Sequence, residues 1–404
     1  MFLKIIFNLY IALGLLYWLR QHFLVRRVIR SVPRLEDAAG DGFPDWPKVS
    51  VIMPACNEAA TLEQAVRTRL ADDYPNIEFI LIDDRSTDAT GEIAERLARE
   101  DTRLKVIRNR ELPAGWLGKQ HAMHLGTREA SGEWLLFSDV DIEHRPGALK
   151  RAMALGRAKN LDHLGVLPRI YPSTVMIDCA LTPFLRMLCL AVRVWEVEDP
   201  QSKAYIGVGA FNLVRREAFA RTPGFEWLRL EPADDMALGL MLKRHGARSS
   251  MALGTADLAV HWYRSFREMM TATERAAFTS IYDFSLARAI VLNAFLLLME
   301  LSPFAALLSG MPAVRIAGIV LIAAATGTSL AVNRWIGHPP APALAWPLGI
   351  LIMAALGVRA GVLGALRGGI YWRGTFYPTS VLKAGKRFGR AVNMEERCHK
   401  RCPM

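Results

Sequence analysis

The chain has 404 residues, of which 52% are hydrophobic and 22% are charged, and its formal net charge is +11. This apolar fraction is high for a soluble protein and low for a protein built only of membrane spans, so we expect one soluble domain with a few membrane segments. The basic residues lie mostly beside the apolar segments, which favours an anionic membrane surface over nucleic acid as the partner. The sequence contains no RNA- or DNA-binding motif.

The start of the chain is predicted to form a transmembrane helix. The apolar run from Phe2 to Leu19 is long enough to cross a bilayer. It is too long for a cleaved signal peptide, and no small-residue cleavage site follows it. Arg20, Arg26, Arg27 and Arg30 come directly after the run. By the positive-inside rule, these arginines place the following domain in the cytoplasm.

The middle of the chain alternates between short apolar runs and amphipathic segments. This alternation predicts an α/β domain whose mainly parallel sheet is covered on both faces. The predicted strands of its first half are Val49–Met53, Ile77–Ile82, Leu104–Ile107 and Gly132–Phe137, and the predicted helices are Glu63–Leu70, Ala89–Glu100 and His121–Ala130. The second half is less regular, with predicted strands at Leu164–Pro168, Gly207–Arg215 and Ala256–Trp262 and predicted helices at Val175–Trp195, Asp234–His245 and Phe266–Ile281.

Three apolar segments close the chain, and each is long enough to span a bilayer: Ala289–Leu308, Ile316–Val332 and Leu344–Leu366. The basic tail that follows should stay in the cytoplasm. Three crossings from a cytoplasmic domain would put that tail outside, so one segment is expected to be re-entrant. The first segment is the candidate, because it holds Glu300 and Pro303.

The predicted organisation therefore has five parts. They are an N-terminal transmembrane helix (1–25), a linker (26–47), the α/β domain (48–283), C-terminal transmembrane segments (284–368) and a basic cytoplasmic tail (369–404). The five cysteines are scattered without a C-x-x-C pair, so they are interpreted as ordinary thiols, and no role is assigned to Cys398 and Cys402.

Two aspartates follow the buried strand that ends at Phe137. Asp139 and Asp141 are separated by one residue, and in an extended segment residues i and i+2 point to the same side. Ligands of open α/β sheets bind at the carboxyl ends of strands, where these carboxylates lie. Two carboxylates on one face suit Mg²⁺ or Mn²⁺ together with phosphate oxygens. The alternative for this motif alone is a solvated acidic turn.

Three further motifs carry chemistry. Asp83 and Asp84 end a strand, where a carboxylate can accept hydrogen bonds from a nucleobase or a ribose; the alternative is a helix cap with solvated acids. Lys119 follows a glycine turn and opens a helix, which suits a phosphate. Asp234 and Asp235 begin a later helix, where they either complement the helix dipole or supply a general base.

The order of these motifs resembles the family 2 glycosyltransferases with the GT-A fold. The resemblance covers about Val49 to Phe278. The run Leu112-Pro113-Ala114-Gly115-Trp116-Leu117-Gly118-Lys119, the segment Arg275-Ala276-Ala277-Phe278-Thr279 and the tail Tyr371-Trp372-Arg373-Gly374 are similar to those of hopanoid-associated and carotenoid glycosyltransferases. Ceramide glucosyltransferases are more distant relatives with a similar membrane plan.

The resemblance implies a GT-A type nucleotide-sugar-binding domain and a set of site residues. The nucleotide sugar would be bound by Pro54, Asn57, Glu58, Asp83, Asp84, Lys119, Asp139 and Gly209, and the metal, Mg²⁺ or Mn²⁺, by Asp139 and Asp141. Asp235 would be the base, with Asp234 beside it. Many relatives carry Gln-x-x-Arg-Trp after the base; here the corresponding place has Ala272-Thr273-Glu274-Arg275-Ala276, which keeps only Arg275 as a cation.

The membrane segments favour a lipid acceptor. We expect an inverting, metal-dependent hexosyltransferase that moves a sugar from a nucleotide-sugar donor to a hydroxyl of a hopanoid, carotenoid or similar lipid. A UDP-sugar is the favoured donor. The protein is expected to be a multi-pass protein of the cell (inner) membrane with a cytoplasmic catalytic domain. A polysaccharide synthase is one alternative, which the missing Gln and Trp disfavour. The other is a catalytically inactive membrane binding protein with the same fold, which Asp139, Asp141 and Asp235 disfavour.

Overall fold

The computed structural model describes residues 2–38 and 45–387; Cys398, Cys402 and part of the predicted linker lie outside these ranges. The described strands are β1 (Val49–Ala55), β2 (Ile77–Asp84), β3 (Leu104–Asn109), β4 (Trp134–Phe137), β5 (Glu143–His144), β6 (His163–Ile170), β7 (Asn212–Arg215), β8 (Ser249–Val260), β9 (Gly369–Trp372) and β10 (Thr375–Pro378). The described α-helices are α1 (Phe2–Ser31), α2 (Leu62–Leu70), α3 (Thr90–Glu100), α4 (Gly118–Glu129), α5 (Ala148–Ala158), α6 (Val175–Ala191), α7 (Arg216–Ala220), α8 (Gly224–Leu228), α9 (Asp234–Arg244), α10 (Phe266–Ala276), α11 (Leu286–Glu300), α12 (Ser302–Ala306), α13 (Pro312–Trp335), α14 (Trp346–Arg367) and α15 (Thr379–Gly385).

Eight of these strands form one mixed sheet in the order β3-β2-β1-β4-β7-β6-β8-β5. Strands β3, β2, β1 and β4 are parallel neighbours, and so are β6 and β8. Strand β7 runs antiparallel to β4 and β6, and β5 runs antiparallel to β8. The predicted α/β fold with a mainly parallel sheet is confirmed, and the carboxyl ends of β1, β2 and β4 share one edge.

The apolar residues of the central strands pack on both faces of the sheet. In β1, Val51 and Met53 join a core that includes residues of α2, α3 and α5, whereas Ile52 joins a second core with residues of α4 and α9. All seven residues of β1 and all four of β4 are buried. A strand buried on both faces reads as a continuous apolar run, which is why these strands could be predicted from the sequence.

The chain divides into two compact units. The sheet unit comprises Val32–Tyr171, Glu196–His261 and Tyr371–Met404, and the helical unit comprises Met1–Ser31, Pro172–Trp195 and Trp262–Ile370. Each unit is assembled from three separate stretches of the chain. The predicted domain boundaries stay a prediction.

The helical unit contains the candidate membrane spans. Within the described residues, three helices are long and apolar enough to cross a membrane: Val175–Glu196, Pro312–Trp335 and Ala341–Arg367. Two further helices, Phe266–Ile281 and Leu286–Glu300, are long and apolar enough to cross a membrane only when they are taken together. The chain bends by 100° at the break between them. Helix α1 is not among the three, although large apolar side chains along it, from Phe2 to Phe23, are exposed.

The predicted closing segments are helical with one interruption. The last two correspond to α13 and α14. The first, Ala289–Leu308, is broken at Leu301 into α11 and α12, and Pro303 lies in the first turn of α12. A proline has no backbone N–H and clashes with the preceding turn, so it is tolerated at the start of a helix and disfavoured within one.

Several features differ from the sequence-based prediction, and two of them bear on the site. The predicted strand Gly207–Arg215 is a strand only at Asn212–Arg215, and its first half is a loop. A Cβ atom on Gly207 would lie 1.7 Å from the Asp235 carbonyl oxygen, so this glycine marks a close approach of two backbones rather than a strand. Helix α5 and the hairpin β9–β10 were not predicted.

Candidate active site

The loops after β1 and β2 are tied together at the carboxyl edge of the sheet. The Asn57 N–H donates to Ser86 Oγ at 3.1 Å, and the Thr87 N–H donates to Asn57 Oδ1 at 2.8 Å. The Glu58 N–H donates to Thr90 Oγ1 at 2.8 Å. These bonds fix the backbone that carries Asn57 and Glu58, while Pro54 is buried within β1.

Lys119 joins two acidic loops. Its Nζ lies 2.7 Å from Asp139 Oδ1 and 2.9 Å from Asp234 Oδ2, and its side chain is only 13% exposed. Burial alone would lower the pKa of Lys119, but the carboxylates of Asp139, Asp234 and Asp235 outweigh burial and raise that pKa above its usual value. The ammonium group therefore stays charged and holds the loop after β4 beside the start of α9.

Gly209 lies between the two predicted functional aspartates. Its N–H donates to Asp235 Oδ2 at 3.0 Å, and its carbonyl oxygen accepts from the Asp139 N–H at 2.9 Å. A Cβ atom on Gly209 would lie 2.8 Å from Asp139 Oδ2 and 3.5 Å from Asp235 Oδ2. A side chain at this position would press on the Asp139 carboxylate and displace it from its present position.

Asp235 has the electrostatic character of a base. Burial and the neighbouring Asp234 carboxylate raise the pKa of Asp235 to about 6, although Lys119 opposes the shift. Its Oδ1 also accepts from the Met236 N–H at 2.7 Å, so both carboxylate oxygens are oriented by backbone donors. The group is ionised at neutral pH and more basic than an ordinary aspartate.

Arg69 supports the Asp139 loop from below. It donates to Ser138 Oγ at 3.0 Å, to the Ile142 carbonyl at 3.1 Å and to the Asp139 carbonyl. Its side chain is buried, and burial lowers its pKa to about 10 although the Asp141 and Asp139 carboxylates favour its charge. Arg69 is thus a positioning residue for the backbone between the two aspartates.

The donor set of Asp139 and Asp141 suits a divalent cation that also takes phosphate oxygens. Burial and the Asp139 charge raise the pKa of Asp141 to about 6. A bound cation would therefore reduce the repulsion between the Asp139 and Asp141 carboxylates. Among residues 2–38 and 45–387, no three His, Cys, Asp or Glu side chains are grouped closely enough to hold a metal by themselves. The protein would supply two carboxylates, and the ligand would supply the rest.

Asp84 is fully buried and saturated with hydrogen bonds. Arg85 donates to it twice, from Nε to Oδ1 at 3.0 Å and from Nη2 to Oδ2 at 3.2 Å. Asn109 donates to Oδ1 at 2.9 Å, and Arg373 Nη1 donates to Oδ2 at 3.1 Å. Burial alone would raise the pKa of Asp84, but Arg85 and Arg373 hold it below its usual value.

The start of α4 lies between the residues around Asp84 and the residues around Asp139. A Cβ atom on Gly118 would lie 2.4 Å from Asp84 Oδ2, and the next residue, Lys119, contacts Asp139. Asp84 and Asp139 end strands that are two positions apart in the sheet, about 10 Å. The Asp83 carboxylate points elsewhere, because its Oδ2 would lie 2.5 Å from a Cβ on Gly91 in α3.

The pKa of Glu58 is affected both by Arg373, which contacts Asp84, and by the aspartates at positions 139 and 141. Burial and the charges of Asp141 and Asp139 raise the pKa of Glu58 to about 7, and the Arg373 guanidinium opposes that rise. The structure therefore brings together Asp139, Asp234, Asp235, Lys119 and Gly209 by direct contact, and it connects Glu58 and Asp84 to them.

Arg275 belongs to α10 in the helical unit. Its neighbour Glu274 is buried and paired with two arginines of α14, Arg359 at 3.1 Å and Arg367 at 2.5 Å. Within the helical unit, this stretch therefore fixes α10 to α14. The catalytic role expected of Arg275 stays a prediction.

Sequence reasoning missed several residues of the site: Arg69, Arg85, Asn109 and Arg373. For Arg69 a signal existed. It occupies the same face of α2 as Leu62, Ala65 and Val66, so a charge falls on an otherwise apolar stripe. Arg85 and Asn109 follow strand ends and could have been grouped with Asp84. Arg373 lies 289 positions from its partner, so no local pattern links the two.

Comparisons with known proteins agree with this architecture. Residues 50–178 match the family model described as Glycosyl transferase family 2. The mannosyltransferase PcManGT from Pyrobaculum calidifontis, solved in complex with GDP-Man and Mn²⁺, superposes with a TM-score of 0.52 at 21% identity, covering 90% of this chain and 97% of that chain. This likeness and the sheet topology confirm the predicted GT-A type fold.

Curated relatives match over shorter stretches. Over 107 residues the chain is 36% identical to GalNAc(5)-diNAcBac-PP-undecaprenol beta-1,3-glucosyltransferase of Campylobacter jejuni, which is 26% of this chain and 34% of that protein. Over 95 residues it is 33% identical to 4,4'-diaponeurosporenoate glycosyltransferase of Staphylococcus haemolyticus, which is 24% of each chain. The chain thus spans about a third or less of the length of these relatives.

Proposed function

Because the chain carries a family 2 glycosyltransferase domain of GT-A type, we propose that it transfers a sugar from a nucleotide-sugar donor to a hydroxyl group of a membrane lipid. The observation that carries this proposal is the contact cluster of Lys119, Asp139, Gly209 and Asp235. The first turns of α4 and α9 and two loops of the sheet unit contribute these residues, and they meet at the sheet edge where α/β proteins bind ligands.

In the proposed reaction, Asp235 removes the proton from the acceptor hydroxyl. The acceptor oxygen forms a bond to the anomeric carbon while the bond from that carbon to the diphosphate oxygen breaks, and the nucleoside diphosphate leaves with the electron pair. With a single base and attack from the opposite side, the sugar configuration inverts. Lys119 is a cation within this cluster, and it would stabilise the negative charge that develops on the leaving diphosphate.

A divalent cation fits beside this cluster. Asp139 and Asp141 would hold Mg²⁺ or Mn²⁺, as the Mn²⁺ in the similar mannosyltransferase supports. A bound cation would neutralise charge on the departing diphosphate. We expect Asp141→Ala to weaken donor binding only when the metal is present. Calorimetric titrations of the donor with and without Mg²⁺ or Mn²⁺ measure this, and equal affinities for the two proteins would remove the metal assignment.

Several observations favour a lipid acceptor. Three helices of the described chain are long and apolar enough to cross a membrane. The names of two relatives specify an undecaprenol-linked and a carotenoid acceptor, which are both polyisoprenoid lipids. We therefore propose a multi-pass protein of the cell membrane with its catalytic face in the cytoplasm, a UDP-sugar as the first donor to test, and a hopanoid, carotenoid or related lipid as the acceptor.

Nucleoside diphosphate release tests the proposal directly. The purified full chain is incubated with UDP- and GDP-sugars and with a lipid extract from cells that lack the protein. We expect release that depends on the lipid, together with a new glycolipid detected by mass spectrometry. Release without lipid product would contradict the lipid acceptor, and no release from any donor with any extract would contradict the proposed activity.

A further inference from the structure

The hairpin β9–β10 places an unusual residue at its tip. The two turn residues, Arg373 and Gly374, have φ angles of 47° and 76°. A two-residue turn with both φ angles positive is of type I′, in which Asn-Gly is the favoured pair. An arginine in the left-handed region costs about 1–2 kcal/mol. The turn therefore carries an arginine that its backbone conformation disfavours.

The segment after this tip is fixed to the sheet unit along its length. The Tyr377 hydroxyl lies 3.5 Å from the Trp116 carbonyl oxygen, next to the turn that starts α4. Further along, the Arg387 N–H donates to Glu231 Oε2 at 2.7 Å, and its guanidinium lies over the Trp227 ring at 5.3 Å. The segment after the hairpin tip therefore contacts the turn before α4, through Trp116, and the residues Trp227 and Glu231 that precede α9.

The contact of Arg373 with Asp84 leaves a positive site at the surface. A carboxylate has about four acceptor positions, and Arg85, Asn109 and Arg373 fill all four on Asp84. Asp84 is fully buried, whereas the side chains of Arg85 and Arg373 are 23% and 18% exposed. A ligand that enters here meets two guanidinium groups on a single carboxylate, so it meets net positive charge.

Arg373 is also near the loop that follows β1. Its charge acts on Cys56 and Glu58 in the loop after β1 as well as on Asp84. The pKa of Glu58 also responds to the charges of Asp139 and Asp141, so Glu58 is near both Arg373 and the two aspartates. Arginine presents a planar fork of donors that matches phosphate oxygens in two-point contacts.

We propose that Arg373, together with Arg85, binds the diphosphate of the nucleotide-sugar donor, and that Asp84 holds the two guanidinium groups in place. This proposal rests on the proposed function. It adds a donor-binding residue from a C-terminal hairpin, nearly 200 positions beyond the segment that matches the family model. It also gives Asp84 the role of organising the two arginines, since its own oxygens are occupied.

Arg373→Asn tests the proposal, because asparagine suits the type I′ turn and so preserves the hairpin while removing the guanidinium group. Binding of UDP and GDP, and of uridine and guanosine, is measured by calorimetry on the full chain. The wild type should bind one of the two nucleoside diphosphates. We expect Arg373→Asn to lower the affinity for that diphosphate by about 10- to 100-fold, because charged hydrogen bonds are lost, and to change the affinity for the nucleoside little. Arg373→Lys should recover part of the loss.

The control is Arg99→Ala, which removes an exposed arginine at the end of α3 and should leave every affinity unchanged. Equal diphosphate binding by wild type and Arg373→Asn would overturn the proposal while leaving the proposed function intact. An equal loss for nucleoside and diphosphate would also overturn it, since that result assigns Arg373 to the base or to folding. A wild type that binds neither UDP nor GDP would instead contradict the proposed function itself.

Discussion

Lys119 is the residue on which the arrangement of acids depends. Four carboxylates, those of Asp139, Asp141, Asp234 and Asp235, come from the loop after β4 and the first turn of α9, and like charges at short range repel each other. The Lys119 ammonium lies within 3 Å of two of them and compensates part of that repulsion. The same charge is of the right sign for a leaving diphosphate. One lysine therefore both assembles the site and opposes the negative charge of its expected ligand.

Replacing the proposed base should separate binding from chemistry. Asp235→Asn keeps the size of the side chain and an acceptor for the Gly209 N–H, but it cannot take a proton. We expect nearly unchanged donor affinity and a loss of about 100-fold or more in transfer, as removal of a general base typically gives. Calorimetry and nucleotide-release rates measure the two effects. A variant that transfers sugar at the wild-type rate would show that Asp235 is not the base.

The pH profile should report the shifted pKa of the same group. Since burial and Asp234 raise the pKa of Asp235 to about 6, the base is protonated and inactive below that pH. We expect kcat/KM to rise about tenfold per pH unit up to 6 and to level off above it. The raised pKa also means that ionising Asp235 lowers the stability of the fold as the pH rises through 6. A midpoint near pH 4, where an ordinary aspartate titrates, would contradict this assignment.

At the scale of elements, the parallel strands could be predicted because each is a run of apolar residues buried on both faces. Asp139 and Asp141 could be predicted as well, because they follow such a run directly. The hairpin β9–β10 could not, because the contact of Arg373 with Asp84 joins residues that are 289 positions apart in the sequence. The loop at Gly207 was mistaken for a strand because the backbone of Asp235, which requires the glycine, is distant in sequence.

A buried ion pair joins two helices of the helical unit. Arg186 of α6 and Glu300 of α11 lie 2.6 Å apart and are 1% and 0% exposed, and the Arg186 guanidinium lies 4.9 Å from the Trp18 ring centre. Tyr17 also donates to Glu300. Because Arg186 and Glu300 are both buried, removing one charge leaves the other without compensation, whereas removing both leaves neither charge unpaired.

A double-mutant cycle tests this pair. We expect Arg186→Met or Glu300→Leu alone to cost about 3–5 kcal/mol of stability and the double variant to cost less than either. The apparent melting temperature in detergent measures the order of the four proteins. Arg221→Met, which breaks the exposed pair with Glu217, is the control and should cost about 1 kcal/mol or less. Additive losses for the two buried substitutions would show that the pair is not coupled.

At the scale of the whole molecule, the sheet unit restricts how the chain can cross a membrane. His261 and Tyr371 both belong to the sheet unit, so the chain between them must cross an even number of times. This condition agrees with a tail on the same side as the catalytic residues and with one predicted segment that does not cross fully. The bend of 100° between Phe266–Ile281 and Leu286–Glu300 makes this pair the first candidate for such a segment.

The helix Val175–Glu196 is also constrained by the sheet unit. Its length and composition would allow it to cross, but Tyr171 before it and Glu196 at its end both belong to the sheet unit. A single crossing would separate two parts of one compact core, so we expect this helix to enter the bilayer partly or to lie along its surface. Residues on either side of the helix should then be accessible from the same side of the membrane.

Cysteine labelling decides this point. Thr174→Cys and Gln201→Cys place exposed thiols on the two sides of α6, and Arg99→Cys marks the sheet unit as the control. All three are made in a chain whose native cysteines are replaced: Cys56, Cys179, Cys189, Cys398 and Cys402. We expect an impermeant maleimide to label all three in inverted membrane vesicles and none in intact cells. Labelling of Thr174→Cys and Gln201→Cys from opposite sides would show that the helix crosses, and the sheet unit could not then form one core.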